Sequence, residues 1–151
     1  RAATEAMLMS ASRHEHVVHV LRPALAEGRI VICDRYNDST RVYQGLVGGV
    51  PREDIEALNR LACGGLVPDL TILLDMDVDE GLRRAGARAS SESRFESKGS
   101  DFHHKVRQGF LDLASSESDR FVVIDAARDV DAIADDIVSA VMPRLSAVGI
   151  S

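Results

Sequence analysis

From Ile32 to Gln44 the sequence reads Ile-Cys-Asp-Arg-Tyr-Asn-Asp-Ser-Thr-Arg-Val-Tyr-Gln. A carboxylate, a guanidinium, two hydroxyls and a phenol are packed into one strand-to-helix turn. Arg35 leaves the end of the strand, and its planar fork of donors matches the oxygens of a phosphate. Ser39 and Thr40 open the next helix, where free backbone N–H groups and the positive dipole end favour an anion. Tyr43 follows one turn later, so its hydroxyl can face the same ligand. Asp34 occupies a strand end, the place where phosphoryl-transfer sites keep a carboxylate for Mg²⁺ or its water shell. The set points to a phosphorylated small molecule.

The positioning elements are legible around it. Thr4 to Leu25 reads as a long amphipathic helix with Leu8, Ala11, Val18, Leu21 and Leu25 near one stripe. Pro23 is expected to kink it or end its main part, and Gly28 to close it. Three short apolar runs each end in aspartate: Ile30 to Cys33 before Asp34, Leu70 to Leu74 before Asp75, and Phe121 to Ile124 before Asp125. Such runs predict strands buried on both faces of a parallel sheet. Asp75 and Asp125 read as caps of the helices that follow. Helical patterns cover Asp54 to Leu61, Glu80 to Ala87, Glu96 to Ala114 and Val130 to Val141, the last with Asp129 as its N-cap. The alternation is that of an α/β fold. No repeat or linker divides the chain, and Ala89 to Ser93 reads as a loop.

Composition removes several classes. The chain has 151 residues, 45% hydrophobic and 28% charged, enough for a packed core. No apolar run approaches the ~20 residues of a membrane span. The start, Arg1-Ala2-Ala3-Thr4-Glu5, shows no signal-peptide pattern, so a cytoplasmic chain is expected. Cys33 and Cys63 are isolated, which argues against a disulfide framework or zinc cluster, and Cys33 is expected to be buried in its strand. A net charge of −6 argues against nucleic-acid binding. Sixteen of the 18 basic residues are nevertheless arginine, which suits small anions, although a GC-rich gene gives the same surplus. His14-Glu15-His16-Val17-Val18-His19 is not HExxH and reads as a surface or interface helix. No metal-ligand set is expected there or at His103-His104.

The segment from Ile32 to Gln44 resembles the signature of the thymidylate kinase family at every position: aliphatic-small-Asp-Arg-aromatic-x-x-Ser-small-x-small-aromatic-Gln. The resemblance extends upstream through Thr4 to Arg13 and downstream through Gly64-Gly65-Leu66-Val67-Pro68-Asp69-Leu70-Thr71. Arg94-Phe95-Glu96, Asp101-Phe102-His103 and Val123-Ile124-Asp125-Ala126 are similar to later parts of the family's chain. The resemblance implies a P-loop kinase-type parallel sheet flanked by helices, incomplete here. It implies one domain over residues 1–151, the C-terminal part of a kinase, with a lid at about residues 84–95. The activity implied is ATP-dependent phosphorylation of dTMP to dTDP on the way to dTTP, in a cytoplasmic homodimer packed through long helices. Mg²⁺ would be held mainly by ATP and by residues outside this chain.

Carried over residue by residue, the resemblance gives Arg13 the thymine ring and Arg35 the dTMP phosphate. Ser39, Thr40, Tyr43 and Gln44 would line base and sugar. Asp34 would stand by the metal-phosphate cluster, and Arg84 on the ATP side. Arg88 and Arg94 would neutralise charge developing on the transferred group, while Arg83 reads as part of a solvated face. Met9 replaces the family's usual Phe, exchanging ring stacking for a thioether contact. Ser93 stands where an Asp is usual, and Gly86 where a second lid Arg is common.

One motif does not occur. P-loop kinases cradle the donor phosphates with GxxxxGK[ST], and neither Lys98 nor Lys105 lies in that context. Lys98-Gly99-Ser100 has the order reversed, and Gly45 to Gly49 contains no lysine and reads as a flexible connection. The expectation is a chain that lacks the N-terminal P-loop region, is poorly stable alone and is inactive alone. The alternative is a non-catalytic thymidylate-kinase-like domain that binds a nucleotide or a partner; a related deoxynucleoside kinase matches less of the motif.

Overall fold

The computed structural model describes residues 1–87 and 99–149. Arg88, Arg94 and most of the expected lid therefore lie outside the described residues. The chain divides into two compact units, Arg1–Val67 and Pro68–Ser151.

The first unit is helical. Helix α1 (Ala2–His16) passes into a π-helical stretch (Val17–Leu21) and then α2 (Arg22–Ala26). The helix thus continues through Pro23 instead of ending there. Pro23 has no N–H to give and its ring crowds the carbonyl four residues back, and the wider turn just before it accommodates both. Gly28, at φ 72°, closes the element. Gly28 N–H donates to Leu25 and Arg29 N–H to Ala24, both at 3.0 Å, the paired bonds of a Schellman end.

Helix α3 (Asn37–Thr40) leads into a second π-helical stretch (Arg41–Val47), and α4 spans Arg52–Cys63. Glu53 and Asp54 in the first turn of α4 and Arg60 in its last complement the helix dipole. Gly64 ends α4 at φ 56°, and Arg22 Nη2 donates to the carbonyls of Cys63 (3.3 Å) and Gly64 (2.8 Å). The core joins Val17, Leu21, Tyr36, Ala62 and Cys63, with Val31 and Leu66 packed against it.

Ile30 to Cys33 is not a strand. It pairs with no strand among the described residues, and Ile30 and Ile32 are 55% and 95% exposed. A strand exists through its ladder, and this apolar run has no ladder partner among the described residues. Cys33, expected inside that strand, is an exposed free thiol.

The second unit carries the sheet. Strands β1 (Thr71–Asp75) and β2 (Phe121–Asp125) pair in parallel, with Thr71 opposite Phe121 and Asp75 opposite Asp125. Helix α5 (Val78–Ala87) follows β1, α6 (Ser100–Ser116) precedes β2, and α7 (Val130–Ala147) follows it. Both α6 and α7 pack on the strand pair. This is the expected α/β arrangement of a parallel sheet with flanking helices. Asp129 caps α7, accepting from Ala132 N–H at 2.9 Å. That helix runs past Val141 and through Pro143, and Arg144 anchors its end on the carbonyls of Asp69 and Asp119.

The strand-end carboxylates divide their work differently from expectation. Asp75 pairs with both ends of the Arg107 fork at 2.8 and 2.9 Å. The cap of α5 is instead Asp77, which accepts from Asp79 and Glu80 N–H. Asp125 folds back on Ala127 N–H at 2.9 Å. No helix among the described residues is long and apolar enough to cross a membrane.

Candidate functional site

The site residues of the first unit are held by two elements that face each other. Arg13, in the last turn of α1, sends Nη2 to the Tyr36 carbonyl at 3.1 Å and to Thr40 Oγ1 at 3.0 Å. Its guanidinium carbon lies 5.6 Å from the Tyr36 ring centroid, within cation–π reach. Nη1 is buried and has no partner among the described residues. Tyr36 is itself anchored, its hydroxyl donating to the Leu66 carbonyl at 3.3 Å. Burial, and then the neighbouring Cys63 thiol, push the Tyr36 phenol up, so it stays protonated at any physiological pH.

Arg35 is the one non-glycine residue with positive φ among the described residues, at 63°. A left-handed side-chain-bearing residue costs on the order of 1–3 kcal/mol and persists where its surroundings demand it. The turn sends the exposed Arg35 head over the Tyr43 ring, with 5.4 Å from guanidinium carbon to centroid. Burial also raises the Cys33 thiol, outweighing the pull of Arg13, so the exposed sulfur is no activated nucleophile.

The rest of the motif falls between these two arginines. Thr40 is 1% exposed and its hydroxyl is occupied by Arg13, so it orients the guanidinium. Ser39, half-buried, keeps its backbone N–H on the Tyr36 carbonyl at 3.2 Å. Gln44 is buried, and its Nε2 donates to Glu5 Oε2 at 3.4 Å. Glu5, Met9 and Arg13 are spaced i, i+4, i+8 on α1 and so share one face. Met9 lies between Glu5 and Arg13 on that face of the helix. Met9 is 52% exposed, a surface side chain and not a core one. The structure therefore brings Arg13 to Thr40, Gln44 to Glu5 and Arg35 over Tyr43. Asp34 adjoins Arg35 as an exposed carboxylate.

Two participants escaped the sequence reading. Tyr36 is the platform under Arg13, and its only signal was an aromatic after Asp-Arg. Glu5 fixes the Gln44 amide, and its signal was its place two turns before Arg13 on the same stripe.

Arg84 belongs to the second unit. Its Nε donates to Glu80 (2.6 Å), Nη1 to the Ala126 carbonyl (3.0 Å) and Nη2 to the Ala127 carbonyl (2.8 Å). It thus clamps the turn after β2 to α5. Arg83 points to solvent and pairs with Glu80, as a solvated face requires. Hydrogen bonds from Arg83 and then Arg84 hold the Glu80 carboxyl down at about 2. Among the described residues no group of three or more His, Cys, Asp or Glu can hold a metal ion. Asp34 offers one open carboxylate, the number that Mg²⁺ takes from protein when substrate phosphates supply the rest.

Residues 1–137 match the family model described as Thymidylate kinase. The chain is 49% identical over 147 residues to the thymidylate kinase of Trichlorobacter lovleyi, covering 94% of this chain and 69% of that protein. It is 49% identical over 142 residues to that of Caulobacter vibrioides, covering 94% and 68%. Against that of Ruegeria pomeroyi it is 47% identical over 145 residues, covering 96% and 68%.

Proposed function

This chain belongs to the thymidylate kinase family, and from that premise we propose that it forms the dTMP-binding part of a kinase that makes dTDP from dTMP and ATP. The observation that carries the reading is the pair of guanidiniums set over two phenol rings of one short segment, Arg13 over Tyr36 and Arg35 over Tyr43.

In this reading the Arg35 fork takes two oxygens of the dTMP phosphate. Arg13 turns its guanidinium to a carbonyl of the base. Met9 covers the ring with its thioether, and Tyr43, Ser39 and the Gln44 amide meet base and sugar. A dTMP phosphate oxygen attacks the γ-phosphorus of ATP, the new O–P bond forms, and the bond to the β-bridging oxygen breaks as ADP leaves. Protein contributes position and charge to such a transfer, with little covalent chemistry. Held phosphate oxygens, fixed by Arg35, are the acceptor side of that geometry.

Asp34 would give its carboxylate to Mg²⁺, which supplies charge neutralisation on the phosphate oxygens when bound. Arg84 serves the ATP side by fixing the turn after β2, and Arg88 and Arg94 neutralise the transferring group. A cytoplasmic homodimer completes the reading. The exposed apolar Leu8, Val18 and Val20 along α1 and its continuation support the dimer. The net charge of −6 goes with a small nucleotide as partner and no nucleic acid. The test is dTDP formation by the full-length protein from ATP and each of several nucleoside monophosphates. Turnover that prefers thymidylate supports the reading, and turnover of purine monophosphates alone ends it.

A further inference from the structure

The interior of the first unit contains several polar atoms that no described residue satisfies. Ser10 Oγ, Arg13 Nη1, Asn37 Oδ1 and both amide atoms of Asn59 are buried with no partner among the described residues. Ser10, Asn37 and Asn59 are 5%, 3% and 4% exposed. The large majority of buried side-chain polar atoms are normally bonded, so each of these orphans calls for an explanation.

Their placement brings them to one neighbourhood. Ser10 and Arg13 are three residues apart on the inner face of α1. Arg13 bonds the Tyr36 carbonyl, which belongs to the peptide group leading into Asn37. Asn59 lies on the buried stripe of α4, between Ile55 and Ala62. Ile55 abuts Gly45, in the turn that follows Thr40. The Ala62 carbonyl faces His14 Nδ1 of α1 at 3.2 Å. Asn59 therefore stands on the buried face of α4, the helix against which both α1 and α3 pack.

The inventory of this group is complementary. Asn37 Oδ1 accepts, Arg13 Nη1 donates, Ser10 does both, and the Asn59 amide offers two donor hydrogens and an acceptor oxygen. A buried water makes about three bonds to such groups and needs polar walls to stay. We propose that Asn59 is a positioning residue for Arg13: with Ser10 and Asn37 it holds ordered water behind the guanidinium, which keeps Arg13 turned toward the nucleobase. The proposal rests on the reading of Arg13 as the base-recognising residue. The buried Nη1 donates to that water.

A double-mutant cycle on the full-length protein tests it, with dTMP affinity read by titration for wild type, Asn59→Leu, Arg13→Ala and the pair. Asn59→Leu is expected to weaken dTMP binding about fivefold, with ATP affinity unchanged, and to lose its effect once Arg13 is alanine. Asn59→Asp, which keeps oxygen acceptors at the site, is expected to restore most of the affinity. An equal loss with and without Arg13, or no loss at all, overturns the proposal. If Asn59→Leu does not fold by circular dichroism, Ser10→Ala takes its place in the same cycle with the same expectations. Arg13→Ala with wild-type dTMP affinity is a different failure, since it removes the reading of Arg13 itself and this proposal with it. A high-resolution crystal structure is expected to show water bonded to both Asn59 and Arg13, and a collapsed, dry contact there overturns the proposal independently.

Discussion

Arg13 Nη2 and Thr40 Oγ1 meet at 3.0 Å and tie the last turn of α1 to the end of α3, 27 residues along the chain. Thr40 is 1% exposed, so no bulk water replaces its hydroxyl. Thr40→Val keeps the branched shape and removes the acceptor. The variant is expected to lose about 1 kcal/mol in urea unfolding and to bind dTMP more weakly. Unchanged stability and unchanged affinity would show that the contact holds nothing in place.

Arg84 gives all three of its guanidinium nitrogens to Glu80, Ala126 and Ala127. Arg84→Ala is expected to raise the KM for ATP about fivefold, equivalent to ~1 kcal/mol, while dTMP affinity stays as it was. A change in dTMP affinity alone would place Arg84 on the wrong substrate.

Gly64 ends α4 at φ 56°, and an added Cβ would come 2.8 Å from Arg22 Nη2. Gly64→Ala brings both left-handed strain and a clash with the group that closes the helix. A loss of about 1.5 kcal/mol is expected, measured as a shift in the urea midpoint without a change in slope.

Glu80 is held from its usual 4.5 down to about 2, first by Arg83 and then by Arg84. A carboxyl whose folded pKa is depressed stabilises the fold at pH values above its unfolded pKa. That contribution is lost as pH falls from about 4.5 toward 2. Asp129, lowered chiefly by the Ala132 N–H, acts in the same direction. Glu80→Gln should therefore flatten the fall of the urea midpoint across this acid range. An acid limb as steep as that of the unsubstituted protein would contradict the assignment.

The sequence carries local preferences more faithfully than it carries partners, since two of three expected strands form and Asp129 caps while Asp75 does not. Thr71–Asp75 and Phe121–Asp125 are strands as their apolar runs require, and Asp129 caps α7 as its position requires. Ile30 to Cys33 has the same pattern and no ladder among the described residues, because apolar periodicity encodes a preference for burial and not the identity of a neighbour. Met9 shows the same limit on a helix, since it is apolar and lies at the surface. The Asp34 to Gln44 motif was visible as a set of chemical groups. Its platform Tyr36, its tie from Glu5 to Gln44 and the orphaned Asn59 were not, because each depends on contacts made many residues away. Arg35 in left-handed backbone was equally hidden, since arginine has no preference for that conformation.

The most direct measurement is calorimetric titration of dTMP into the full-length protein and into its Arg35→Ala variant. The account predicts at least about tenfold weaker binding in the variant, ~1.4 kcal/mol, with the folded state intact by circular dichroism. An affinity equal to that of the unsubstituted protein would contradict it.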